Sequence, residues 1–384
     1  MSATAVASKP PQRRVEVLDL LRLFAVAAVL LFHFGFRGAI ADGYTDVSLP
    51  GLVPVIKYGY LGVQLFFIIS GFVIAYSAEG RSATEFAVAR VSRIYPGFLL
   101  CMTITFIVTL AIGAPRIEAS VTQWLANFVI LSPALKQPFM DGAYWSIVYE
   151  ITFYAWVFLL LLIGKFRREI ECIVIVWIAI SIFNETVLHS GVVRRLFITD
   201  QSAFFCAGLV LYEIFRGRRD RTIMLLLAFT TVAAISQAFT GAVWLREHYH
   251  TEFDSLVIAA ACVASVALVA LAMNVRRLPL PAGLVLAIGG LTYPLYLLHQ
   301  HIGYMLLTKF QALASAPVLI ATTALAITAA SFLIWRLFEK PAQKWCKRTL
   351  TREAERIGGW TVSVTTPISA AIKRRFRASP EAAA

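Results

Sequence analysis

Long apolar runs alternate with short charged connections along the whole chain. The runs are about 17 to 25 residues long, the length that crosses a hydrocarbon core as a helix. They predict about ten spans, near residues 17–38, 59–78, 95–113, 143–164, 170–188, 199–215, 222–240, 255–274, 283–308 and 314–338. Basic residues gather on alternate connections: Lys9, Arg13 and Arg14; Arg81, Arg90 and Arg93; Lys165, Arg167 and Arg168; Arg216, Arg218, Arg219 and Arg221; Arg276 and Arg277; and Arg336, Lys340, Lys344, Lys347 and Arg348. By the positive-inside rule both termini are cytoplasmic. Arg194 and Arg195 fall on the wrong side of this scheme and mark either a miscounted span or an outward-facing substrate contact. The longest connection, 114–142, contains TQWLANFVILSP, too short to span and suited to the interface.

Composition turns this pattern into a class. The 384 residues are 59% hydrophobic and 15% charged, with a mean hydropathy of +0.74. That excludes a soluble domain and indicates an all-α integral membrane protein, a single bundle of about ten transmembrane helices. The net charge of +13 would suggest nucleic acid in a soluble protein, but here the basic residues sit between spans and report topology and anionic lipid. Residues 1–14 form a cytoplasmic segment, 15–345 the membrane domain and 346–384 a basic, disordered tail. MSATAVASKPPQRR is similar to the start of a signal peptide, yet the apolar stretch after it is too long and lacks a small-residue cleavage site, so the first span is retained. Cys101, Cys172, Cys206, Cys262 and Cys346 are scattered without metal-type spacing, and His248 and His250 in REHYHTEFD read as a solvated outer loop, so no metal site is expected.

Charge inside the first span needs a reason, since an ionised side chain near the bilayer centre costs at least about 2.5 kcal/mol. In DLLRLFAVAAVLLFHFGF, Arg22 and His33 lie eleven positions apart and return to nearly one azimuth, with Asp19 on the same stripe. Helical rise separates Arg22 from His33 by about 16 Å. Snorkelling ends and an interhelical hydrogen bond would give the same stripe. Glu150 lies at a similar depth to His33 and is placed either to orient its imidazole or to make a structural ion pair. Arg90 and Arg93, three apart, can face one ligand, although ordinary positive-inside excess also yields such pairs. Tyr293, Tyr296 and His299 recur along one broad face, where Pro294 is expected to kink the helix around a cavity; packing is the alternative for the tyrosines. Gly62, Ser70 and Gly71 read as small residues for close helix contact.

Six motifs then stand in a recognisable order: RVEVLDLLRLFAVAAVLLFH, GVQLFFIISGFVIAYS, FAVARVSRIYP, ANFVILSP followed by YWSIVYEITFY, GLTYPLYLLH, and FEKP. Over about residues 15–345 the chain resembles the acyltransferase 3 family of integral membrane O-acyltransferases, in the standalone form without a fused hydrolase-like domain. The resemblance maps the family's basic residue and histidine on Arg22 and His33, and its Arg-x-x-Arg pair on Arg90 and Arg93. Trp145, in the fourth motif, is a further candidate. Two departures stand out. Leu23 replaces a common glycine, and Gln64 replaces the usual acidic residue of the second span, which leaves a group able to orient but not to exchange a proton.

What the resemblance implies is transfer of an acyl group, most often acetyl, from cytosolic acyl-CoA to a hydroxyl of a glycan or lipid-linked saccharide at the inner membrane. No permanently bound cofactor is expected; acyl-CoA is a substrate. Arg22, Arg90 and Arg93 would hold the donor in a polar cavity crossing the bundle, with His33 and Glu150 catalytic. An imidazole, with an unperturbed pKa of about 6.5, suits a general base, and a covalent acyl-histidine is the other route. Intramembrane ionisable residues also mark transport pathways, so an exporter of a glycan or lipid is the alternative, and a catalytically dead scaffold a third.

Overall fold

A computed structural model describes residues 16–275 and 278–356. Among them all regular structure is helical. Helix α1, Glu16–Phe32, continues as a π-helix over His33–Ala41. It is followed by α2 (Gly62–Ala78), α3 (Ala83–Ile112), α4 (Trp145–Leu162), α5 (Ile170–Phe183), α6 (Ser202–Phe215), α7 (Arg221–Tyr249) and α8 (Ser255–Ala272). Helices α9 (Ala282–Leu298) and α10 (Gln300–Phe310) meet at a 68° bend, and α11 (Ala316–Ile334) runs on through a π-turn at Trp335–Glu339 to Arg356. Nine of the described helices are long and apolar enough to cross a membrane, ten with the bent pair, as the hydropathy pattern predicts.

Several boundaries move. A capping box of Ser82 and Glu85 starts α3 well before residue 95, so Arg90 and Arg93 lie on its second and third turns. Helix α7 absorbs the first part of REHYHTEFD: His248 stacks on Trp244 at 3.9 Å, and His250 takes a left-handed conformation at the helix end. Residues 346–356, expected in the tail, continue the last helix, whereas residues 1–14, Arg276, Arg277 and 357–384 lie outside the described residues. Arg194 sits on a short helix, Gly191–Phe197, and pairs with Glu185 at 2.8 Å, so it is already engaged within the protein.

Small residues bring the central helices together. A methyl group at Gly71 would strike the carbonyl of Phe205, and one at Gly208 the carbonyl of Ile68, so α2 and α6 pack backbone to backbone. Phe67 and Phe153 then stack on Phe205, each with centroids 4.6 Å apart. Within the long connection, Val121–Ala126 is a single capped helix docked on α3, where Trp124 donates to Thr103 at 3.2 Å.

The bend between α9 and α10 lies five residues beyond Pro294, through which α9 runs unbroken. A break inside a membrane bundle exposes backbone N–H groups that no water reaches. Asp141 meets this need. Fully buried, it accepts from the His301 amide at 2.8 Å through one oxygen and from the Ala143 amide at 2.9 Å through the other. One carboxylate thereby ties the start of α10 to the start of α4. Asp141→Ala leaves two buried donors unpaired, at about 1–3 kcal/mol each, and is expected to lower the thermal unfolding midpoint in detergent. Asp141→Asn, which keeps one acceptor oxygen, loses less; an alanine variant as stable as the parent contradicts this role.

Candidate active site

A cavity of about 440 Å³ opens between α1, α2, α3, α4, α9 and α11. Arg22 lines it, paired with the buried Asp19 at 3.2 Å. Arg93 lines it too, and Arg90 is clamped between the rings of Phe86 and Tyr154, at 5.9 and 5.8 Å from their centroids. Lys340 completes a set of four cationic side chains from three helices. Among the described residues, Arg90, Arg93 and Lys340 form no ion pair with a carboxylate. Arg93 is exposed and Arg90 and Lys340 are half-buried, so the three present positive charge to the cavity.

Glu150 belongs to this cavity and not to His33. One of its oxygens accepts from Ser70 at 2.8 Å and from Tyr154. The expected pairing with His33 is therefore corrected, and Ser70 is a polar partner where a packing residue was expected. His33 instead shares a 2.7 Å hydrogen bond between Nδ1 and the Tyr304 hydroxyl. Two departures from α-geometry cause the change. The π-segment begins at His33, and the 68° bend swings α10 so that Tyr304 comes alongside it. Beyond His33, Arg37 pairs with Asp42 at 2.8 Å and lies over the Tyr249 ring at 5.5 Å, closing the π-segment. Burial pushes the Asp42 carboxyl above its usual range, with Arg37 opposing.

Between cavity and histidine stands a row of rings. Tyr296 lines the cavity and shares a 2.6 Å hydrogen bond with Ser146. Its ring lies 5.4 Å from that of His299, which lies 5.0 Å from that of His33. Nδ1 of His299 faces the Tyr296 carbonyl at 2.7 Å; a carbonyl only accepts, so Nδ1 carries the proton, and Nε2 is buried without a partner. Ser146 and Tyr154 mark the two ends of the cavity on α4, eight residues or about 12 Å apart. Tyr293 also lines it and donates to the Ile94 carbonyl at 3.1 Å.

Gln64 and Trp145 stand elsewhere. Gln64 is buried against Gln201 at 3.4 Å, and Trp145 packs edge-on against Phe67 and Tyr149. Neither lines the cavity. Lys340, Tyr154, Tyr304 and Asp141 were not anticipated as site residues. Lys340 had a signal in FEKP but reads as a topology charge; Tyr304 and Asp141 had none, because a π-turn and a helix break without proline leave no mark on periodicity.

Residues 15–336 match a family described as an acyltransferase domain, acyltransferase 3. Acyltransferase MdmB of Streptomyces mycarofaciens is 28% identical over 149 residues, 37% of this chain and 38% of that protein. Nodulation protein 10 of Rhizobium leguminosarum bv. viciae is 27% identical over 194 residues, 44% of this chain and 52% of that protein. The matched stretches thus cover about two fifths to one half of these relatives. No solved structure matches. With the family match running over residues 15–336, most of its length, the chain belongs to the acyltransferase 3 family.

Proposed function

We propose that this multi-pass membrane protein is an O-acyltransferase that moves an acyl group, acetyl in the simplest case, from acyl-CoA to a hydroxyl of a glycan or lipid-linked saccharide. One observation carries the reading: a cavity bearing Arg90 and Arg93, neither in an ion pair, reaches Tyr296, whose ring is tilted against His299, which in turn meets His33 edge-on. The donor enters from the cytoplasmic side of the inner membrane, on which both termini also lie. Its phosphates meet Arg90 and Arg93, whose planar forks match phosphate oxygens. Its arm runs past Glu150 toward Tyr296, with the free carboxylate oxygen available to an amide N–H.

At the far end His33 Nδ1 and the Tyr304 hydroxyl share a hydrogen bond; in this scheme the imidazole takes the tautomer in which Nδ1–H donates, which leaves the Nε2 lone pair for chemistry. His33 takes the proton of the acceptor hydroxyl, and the oxygen attacks the thioester carbonyl. The C–S bond breaks, and the thiolate recovers the proton from the imidazolium and departs as the thiol. His299 is buried beside His33, with Nδ1 committed to the Tyr296 carbonyl. An exporter is less well supported. Transporters with broken helices turn a half-helix N-terminus toward substrate, whereas here the His301 amide is occupied by Asp141.

Two sets of variants test the reading with purified protein and labelled acetyl-CoA. Arg90→Ala and Arg93→Ala are expected to weaken donor binding by about 1.5–3 kcal/mol each, read by calorimetric titration, with lysine restoring only part. Binding as tight as the parent's in both alanine variants returns the arginines to topology.

His33→Gln keeps bulk and hydrogen bonding but takes up no proton, so turnover should fall about 10²- to 10⁴-fold while donor binding survives. Near-parental thioester turnover by stability-matched His33→Gln would remove the general base. Absence of any turnover by the parent, with a glycan accumulating on one side of the membrane, would favour export.

A further inference from the structure

The last helix reaches the donor cavity with one residue that neither the arginine pair nor the histidine row accounts for. We infer that Lys340 binds the innermost phosphate of the acyl donor, the one joined to its pantetheine arm, while Arg90 serves a phosphate nearer the cytosol. This rests on the acyl-CoA reading above and divides the donor's phosphates among particular side chains.

Local geometry puts Lys340 in the cavity. In an α-helix, residues five apart point about 140° away from each other. Trp335–Glu339 is π-helical, and the Lys340 amide bonds the Trp335 carbonyl, an i to i+5 closure that stacks the two residues one turn apart. Both therefore line the cavity, with the ammonium 5.6 Å from the indole centroid. That contact points the side chain inward, away from the helix end.

Register sets the depth. Gln343 donates to the Arg93 carbonyl at 3.0 Å, and Glu339 lies opposite Gly97, where an added methyl would sit 3.3 Å from its carboxyl carbon. Helices α3 and α11 thus run antiparallel at this point. Lys340 lies between the levels of Arg93 and Gly97, and Arg90 lies a turn toward the other end. From the cytosol the order is Arg90, Arg93, Lys340. A donor whose acyl end points to His33 presents its phosphates in the order 3′-phosphate, then diphosphate, so the pantetheine phosphate comes last and deepest.

Charge agrees with this order. Four cationic side chains line the cavity against two carboxylates. Asp19 is engaged with Arg22, and Glu150 with Ser70 and Tyr154. Glu339, next to Lys340 in sequence, accepts from Gln343 at 2.6 Å and is buried outside the lining. The ammonium is left to a ligand.

A series of truncated donors tests the assignment: acetyl-pantetheine, acetyl-4′-phosphopantetheine, acetyl-dephospho-CoA and acetyl-CoA, compared by kcat/KM in the parent, Lys340→Gln and Arg90→Gln. Ratios within one variant cancel differences in the amount of folded protein. In the parent the first phosphate should raise kcat/KM about tenfold or more, as a charge-assisted contact does. Lys340→Gln should abolish that step and keep the gains from the later phosphates; Arg90→Gln should do the reverse. A parental first-phosphate ratio in Lys340→Gln overturns the inference, and so does an equal fall on all four donors. If the parent uses none of the four, the acyl-CoA reading falls and this inference with it.

Discussion

The buried carboxylate of Asp141 holds the arrangement on which the rest of the site depends. A helix that stops and restarts inside an apolar bundle leaves amide groups with no solvent to bond, each costing about 1–3 kcal/mol if orphaned. By accepting from the His301 and Ala143 amides at once, Asp141 stabilises the break and fixes it against the start of α4. The consequence is geometric. A straight helix through 282–310 would carry Tyr304 away from α1, whereas the 68° bend brings it to His33. His299, the residue at the bend, is left between His33 and Tyr296.

Irregular helix recurs wherever the site needs a side chain off its regular azimuth. The π-segment at His33–Ala41 re-aims the histidine, and the π-turn at Trp335–Glu339 re-aims Lys340. Such turns weaken local hydrogen bonding and are common at functional positions. Here they are supported by packing: Arg37 and Asp42 close the first, and Gln343 anchors the second to α3. Between them the cavity presents Arg90, Arg93 and Lys340 without a carboxylate partner among the described residues.

Much of this was legible in the sequence. Apolar length gave the span count, because a hydrocarbon core imposes it on any helix that crosses. Asp19 and Arg22, and Arg90 and Arg93, line one cavity as pairs because α1 is regular as far as Phe32 and α3 is regular through that turn, whereas His33, at the start of the π-segment, does not line it. Glu150 bonds Ser70 and Tyr154 and not His33, because depth along two helices does not say which faces meet. Pro294 drew the expected bend to itself, although the break is set by a carboxylate far away in sequence. Gln64 and Trp145 fall outside the cavity because Gln64 turns to Gln201 and Trp145 to Phe67 and Tyr149. These are tertiary facts, and helical periodicity carries none of them.

On the proposed reading, one cavity delivers a nucleotide-linked acyl group to His33 past Tyr296. The most direct measurement is an experimental structure of the intact protein with a non-hydrolysable thioether analogue of acetyl-CoA. Expected are phosphates against Arg90, Arg93 and Lys340, with the thioether sulfur at the Tyr296 end beside the His33 and His299 rings. A ligand bound outside the cavity, or bound in reverse with its sulfur among the arginines, would contradict it.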